Sequence, residues 1–327
     1  MSTTAALAAA GALVLLRLLI GLRTRRPDGV LLATPPVRRM MFTIMPTRSE
    51  SVVFFDAAVD ARPLLAYLPE ARAAFGADMT HCVVAACEIG LASTPRMNRF
   101  VVGRRLYQRT GRSVTFAMKR ALRDGRVDRR SSLATVKLRT DTLPDFPALV
   151  AAVDAQITEN RSGRRTAADR EYSLFDLLPR GALDAAAGLL RWLDHHNLLP
   201  GFFIANDPLY TSMFVANLGS LQMGAGYHHL YEYGTCPLFL MVGHVEDRVV
   251  VGADGTPTVR PTLPLRFTFD ERIDDGLNAR HGIDAVCRVL SDPARWLGGL
   301  GPPGTAPTPL WPRDDWATPD GFYAARD

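Results

Sequence analysis

Leu263-Pro-Leu-Arg-Phe-Thr-Phe-Asp270-Glu-Arg-Ile-Asp-Asp-Gly276 is the stretch that decides the fold. Leu263, Leu265, Phe267 and Phe269 alternate with Pro264, Arg266, Thr268 and Asp270, the period of a strand with one buried face. An acidic turn runs from Asp270 to Gly276. Beyond it, Leu277, Ile283, Val286 and Leu290 fall near helical spacing until Asp292-Pro293 ends the run. The order is strand, charged turn, amphipathic helix.

The surrounding 327 residues are 47% hydrophobic, ample for a large core, which excludes a chain disordered throughout. The 38 basic and 33 acidic side chains leave a formal charge of +5. The excess lies in short runs, Arg23 to Arg26, Arg120 to Arg130 and Arg161 to Arg165, without interleaved aromatics. That scatter suits a membrane surface or an anionic cofactor such as coenzyme A better than a nucleic-acid groove. Cys82, Cys87, Cys236 and Cys287 form no Cys-x-x-Cys pair, so neither a zinc site nor a disulfide framework is expected.

Upstream of the decisive stretch, Ser212-Met-Phe-Val-Ala-Asn217-Leu-Gly219-Ser220 is a second apolar strand with a polar end. Tyr227-His228-His229-Leu-Tyr-Glu-Tyr-Gly234 follows, then a buried strand over 237–242. Val249 to Val251 is expected to pair back on that strand, with Asp254-Gly255 in the next turn. Earlier, Thr80 to Ser93 reads as an apolar helix. Phe100–Tyr107 and Ser113–Met118 read as the arms of a hairpin split by Arg109-Thr-Gly-Arg112. Ser132–Leu138 reads as a strand and Phe146–Ile157 as a helix. Leu174 to Leu199 reads as one or two helices packed in the core, a Leu/Phe-rich acyl-chain cover or a lipid contact being the alternative.

Ala5 to Leu22 is nearly all apolar and close to the minimum of roughly 17 residues for a membrane span. Arg23, Arg25 and Arg26 follow at once, which by the positive-inside rule places the rest of the chain in the cytoplasm. The alternative is a helix docked on protein. Asp28 to Pro36 reads as a linker.

Together these stretches resemble the superfamily of chloramphenicol acetyltransferase and the 2-oxoacid dehydrogenase (dihydrolipoyl) acyltransferases, over about Val37 to Pro293. That superfamily reads roughly Asp-His-Arg-Val-Val-Asp-Gly at the acidic turn, with the His as general base. Asp270, Arg272, Asp275 and Gly276 match, and Glu271 stands in place of the His. Its Phe-Thr-Ile-Ser-Asn-Leu-Gly places hydroxyls near the oxyanion of the intermediate. Here Asn217, Leu218 and Gly219 match, Phe214 and Ala216 replace the Thr and Ser, and Ser212 and Ser220 are the nearest substitutes. Pro95-Arg-Met-Asn98 resembles its Pro-x-x-Asn. The resemblance implies an α/β fold, a mixed sheet flanked by helices, here preceded by the N-terminal apolar helix. The domains would be an anchor over 1–26, an acyltransferase-like domain over 37–296 and a Pro/Gly-rich tail over 297–327.

The resemblance also implies acyl transfer from acyl-CoA as co-substrate to a hydroxyl or thiol, with no cofactor held permanently. A homotrimer with its site between subunits is implied as well. A carboxylate with an ordinary pKa of about 4.3 is a weak base beside an imidazole at about 6.5. Glu271 would therefore need burial, or would orient His228 or His229 as the third member of a triad does. The bland alternatives are a Glu271 paired with Arg272, Arg266 or Arg280, two imidazoles bonded to backbone carbonyls, and an Asn217 that fixes a turn. Asp275 is expected in a structural ion pair beside the site. The residues leave two functions open: an acyltransferase with a divergent base, or an inactive trimer of acyltransferase fold acting as a membrane-associated scaffold or binding module.

Overall fold

The computed structural model describes residue 11 and residues 20–119, 133–161, 179–252, 254–298 and 308–310. A mixed sheet of seven strands carries the molecule. Its strands are β2 (Val52–Asp60), β5 (Ser113–Lys119), β6 (Leu133–Arg139), β7 (Met213–Asn217), β8 (Leu238–Val242), β9 (Glu246–Val251) and β10 (Pro257–Asp270). The order is β2-β10-β8-β7-β5-β6, with β9 beside the first half of β10. β7 runs parallel to both β5 and β8, and the other pairs are antiparallel. A smaller antiparallel sheet joins β1 (Gly29–Leu31), β4 (Arg105–Arg109) and β3 (Arg99–Val102).

The alternation in β10 works as expected. Leu263, Leu265, Phe267 and Phe269 enter the main core, against helices α2 (Arg62–Phe75), α3 (Met79–Ser93), α4 (Phe146–Arg161) and α7 (Gly276–Ser291). α1 (Pro36–Ile44) precedes these, and α8 (Pro293–Leu297) follows α7. Almost every residue of α3 is buried, which is why it is apolar all round rather than on one stripe. Its start is fixed by a capping box in which Asp78 accepts from Thr80 and His81 while the His81 ring accepts from the Asp78 amide. The opposite sheet face holds a smaller cluster of Phe214, Leu230, Cys236, Phe239 and Met241, covered by the chain between β7 and β8.

Four local expectations are corrected. Val249–Val251 pairs with Pro257–Val259 across the Asp254-Gly255 turn, not back on β8. The hairpin after Asn98 turns at Gly103-Arg104, both at φ 58°, so β5 leaves to join the large sheet. Two consecutive left-handed residues make a tight two-residue turn, and a Cβ on Gly103 would lie 2.5 Å from the His195 carbonyl oxygen. The expected linker contains β1, in register with β4. Finally, α5 (Arg180–His195) has no buried residue, and Leu189 and Trp192 are exposed, so it is not a core helix. α6 (Gly201–Asn206) follows it. The basic segment 162–169 and most of the tail lie outside the described residues. Leu310 is buried against the start of α4, where its amide meets the Pro144 carbonyl.

Gly90 on α3 sets how close α7 lies, because a Cβ there would be 2.8 Å from Val286 Cγ2 and 3.3 Å from the Gly282 carbonyl oxygen. The β-branched Val286 cannot swing away cheaply. Gly90→Ala should therefore destabilise by about 1–3 kcal/mol through overpacking, although alanine favours helix by about 1 kcal/mol. Urea unfolding of the two proteins checks it.

Candidate functional site

The acidic turn is bound to the body by its buried members. Asp270 accepts from Arg272 Nε and Nη2 at 2.8 Å each, and from Ser51 Oγ at 2.9 Å. Arg272 Nη1 donates to the Met45 and Pro46 carbonyls. Asp274, 0% exposed, meets Arg96 Nε at 2.7 Å, Arg99 Nη1 at 3.2 Å and Arg38 Nη2 at 3.7 Å. Arg38 also donates to the Arg272 carbonyl. Sequence reading overlooked Asp274. The doubled aspartate before Gly276, with Arg96 and Arg99 flanking Asn98, was the available signal.

Among the described residues Asp275 is in no ion pair, contrary to expectation. It is exposed and caps α7, accepting from the Asn278 amide at 3.1 Å. Partial burial works to raise its pKa, but the Asn278 hydrogen bonds, with Arg96 and Arg38 nearby, hold it below the ordinary aspartate value. The ion-pair role belongs to its neighbour because the helix start turns Asp275 outward and Asp274 inward.

Glu271 is half-buried, and only its backbone is tied, through its amide to the Ser51 carbonyl and through its own carbonyl to Arg38. Among the described residues its carboxylate makes no hydrogen bond or ion pair. The three arginines expected as alternative partners are engaged elsewhere: Arg272 with Asp270, Arg266 with Asp56 and Arg280 with Asp284.

The two imidazoles do not meet Glu271 either. His228 Nδ1 lies 2.6 Å from the His229 carbonyl, and His229 Nδ1 lies 2.8 Å from the Leu230 carbonyl. The His228 ring stacks on Phe239 at 4.1 Å and on His229 at 5.1 Å, while Phe239 stacks on Phe214 at 4.8 Å. Thr268 Oγ1 on β10 donates to the His228 carbonyl and fixes this loop on the sheet. Phe214 and Ala216 share this face, so aromatic rings occupy the side where the resemblance places hydroxyls.

The remaining nominated residues are held by local hydrogen bonds. Ser212 is fully buried, and its hydroxyl accepts from the Ser113 amide. Asn217 accepts from the Gly219 amide at 3.0 Å and donates to Thr80 Oγ1 at 3.2 Å, fixing the turn and joining it to α3. Ser220 donates back to the Asn217 carbonyl at 3.3 Å. The largest cavity described, about 410 Å³, lies beside Arg48, Arg104, Asp194, Glu232 and Arg272, and none of the nominated residues lines it. No group of His, Cys, Asp or Glu among the described residues is arranged to hold a metal ion.

Because the buried Asp274 ties together three partly exposed arginines and the Glu271 carboxylate has no partner among the described residues, the two acids should respond differently. Asp274→Asn should destabilise by about 1–3 kcal/mol, through the charge-assisted hydrogen bonds that Arg96 and Arg99 lose. Glu271→Gln should stay within about 0.5 kcal/mol of the parent. Thermal and urea unfolding of both variants, with circular dichroism, check this contrast.

No family model and no curated protein matches the sequence. Solved structures do match by shape. A probable dihydrolipoamide acetyltransferase of Listeria monocytogenes superposes with a TM-score of 0.53 at 15% identity, over 85% of this chain and 97% of that one. The cubic core of a pyruvate dehydrogenase multienzyme complex gives 0.51 at 16%, over 81% and 93%. The Azotobacter vinelandii dihydrolipoamide acetyltransferase gives 0.50 at 17%, over 81% and 93%, and its structure concerns a serine, a histidine and an asparagine in that enzyme's mechanism. The chain shares the fold of these dihydrolipoamide acetyltransferase structures.

Proposed function

We propose that this chain is a membrane-anchored homotrimer of acyltransferase fold that serves as a scaffold or binding module rather than through imidazole-based acyl transfer. The observation supporting it is that both candidate imidazoles are bonded to adjacent backbone carbonyls and neither is bonded to Glu271. Ala216 has no hydroxyl, and the nearest serine hydroxyls are engaged by backbone, so the described residues of one subunit offer no evident oxyanion donor of that kind. Trimer formation is carried over from the resemblance.

One observation favours the second reading, transfer from acyl-CoA to a hydroxyl or thiol. The Glu271 carboxylate has no partner among the described residues at the motif position, and a neighbouring subunit would face it in a site built between subunits. Light scattering and thiol release from short- and long-chain acyl-CoAs, with hydroxyl and thiol acceptors present, separate the two. The scaffold reading expects a trimer without turnover above the buffer rate. Turnover that falls roughly 10²-fold in Glu271→Gln would establish the acyltransferase instead, and a monomer would remove the trimer.

Anchoring rests on the apolar run from Ala5 to Leu22 and the arginines after it. No single helix among the described residues is long and apolar enough to cross a membrane. Arg26 is buried, and the carbonyls of Gly21 and Arg23 accept from Arg105. A truncation should therefore remove residues 1–19 and spare residue 20 onward. The full chain is expected to float with liposomes and the truncated chain to remain soluble and folded. A full chain that stays at the bottom of the gradient would exclude the anchor.

A further inference from the structure

A second cavity, of about 260 Å³, lies away from the acidic turn, between the Arg109–Ser113 turn, β6 and α6. Four cations line it, Arg109, Arg112, Lys137 and Arg139, against a single lining acid, Asp28. Three of them have carboxylate partners. Arg112 meets the buried Glu88 at 2.7 Å, Arg139 meets Asp141 at 2.8 Å, and Arg109 reaches Asp28 at 3.6 Å. Lys137 has no carboxylate within ion-pair distance among the described residues. Its ammonium donates to the Ile204 and Asp207 carbonyls at 2.8 and 3.1 Å. The nearby Asp207 carboxylate is taken by the Tyr233 hydroxyl and the Leu209 amide.

Capping the end of α6 accounts for two of the three ammonium protons and for none of the charge. Burial lowers the Lys137 pKa to about 8, the mark of a cation without sufficient compensation. Arg109 is only 7% exposed, and its Nε is buried without a hydrogen-bond partner. An unsatisfied buried donor on a charged group is costly, so Arg109 too is under-compensated. Tyr210 forms another wall, and its hydroxyl bonds to none of the described residues; burial pushes its pKa up, so it stays a donor. Gly111, at φ 78°, lets Arg139 close over the turn, since a Cβ there would lie 2.5 Å from Arg139 Nη2. The wall of the cavity is thus built of donors with one positive charge in excess.

We propose that this cavity binds a small oxyanion, a carboxylate or a phosphoryl group, with Lys137 as the principal counter-charge and Arg109, Arg112 and Arg139 around it. The site is independent of acyl transfer at the acidic turn. It takes an anion because every neighbouring acid already has a partner, whereas Lys137 has no carboxylate partner among the described residues.

Isothermal titration and thermal unfolding of the full chain with inorganic phosphate, and separately with acetate, test it against chloride at matched ionic strength. The wild type should bind at least one of the two saturably and melt at a higher temperature in its presence, and which one acts assigns the anion class. Lys137→Gln should weaken that binding by about tenfold or more, while Lys137→Arg retains it. Arg139→Gln, at an exposed side chain, should weaken binding several-fold without threatening the fold, and so serves if Lys137→Gln fails to fold. Absence of binding by both anions, or wild-type affinity in both Lys137→Gln and Arg139→Gln, would overturn the proposal.

Discussion

The position of everything at the acidic turn depends on one buried carboxylate. Asp274 gathers Arg38 from α1 and, from a segment far away in sequence, Arg96 of the turn after α3 and Arg99 at the start of β3. Burying a carboxylate is expensive unless it is paired, and once paired its directional bonds fix how the two segments meet. Beside it the Asp270–Arg272 fork binds the end of β10 to the chain before β2. Removing Asp274 would leave three arginines facing one another. The cluster is therefore a fastening, and it determines which other acids are left over.

Two acids are left over. Asp275 has its work defined by the helix it caps. Glu271 has only its backbone fixed, and no described side chain holds its carboxylate. A side chain with a rigid backbone and a free head is suited to meet something outside the subunit. It does not meet His228 or His229, because that loop is held by Thr268 and stacked through Phe239 onto Phe214. Phe214 and Ala216 bring no hydroxyl to that sheet face. An aromatic column packs well and offers no donor to a developing negative charge.

The sheet and its main core were legible because the second half of β10 alternates with a two-residue period, while β7 and β8 are short continuous apolar runs of the kind buried on both faces. Helix α7 was legible through its acidic start and its Asp292-Pro293 stop. The hairpin was misplaced for a local reason. Arg109-Thr-Gly-Arg looks like a turn and is one, but Gly103-Arg104 makes the tighter reversal, supported by contact with His195 that no local pattern reveals. Strand β1 was hidden because three residues carry no period. Helix α5 was misread because apolar composition reports the capacity for burial, and the described residues cover it only in part, through Leu190 and Leu193 against the Leu199, Ile204 and Tyr210 cluster. Asp274 was missed because its partners converge only in three dimensions, and the adjacent Asp275 carried the family resemblance.

The oxyanion cavity and the N-terminal segment share a wall. Arg26 donates to Asp28 and to Asp194 at the end of α5, and Asn197 holds the Arg23 carbonyl. Asp28 is the lining acid of the cavity and lies 3.6 Å from Arg109. Arg26 and Arg109 both lie over the Phe100 ring, at 5.2 and 4.4 Å from its centroid, so the two guanidiniums are stacked on one aromatic support. The arginine that ends the basic flank after the apolar run is thus a structural member of the domain, not a loose surface charge. Its carboxylate partner also compensates the cavity. Displacing the segment at Arg26 would free Asp28 to pair more closely with Arg109 and lower the positive excess that favours an anion there.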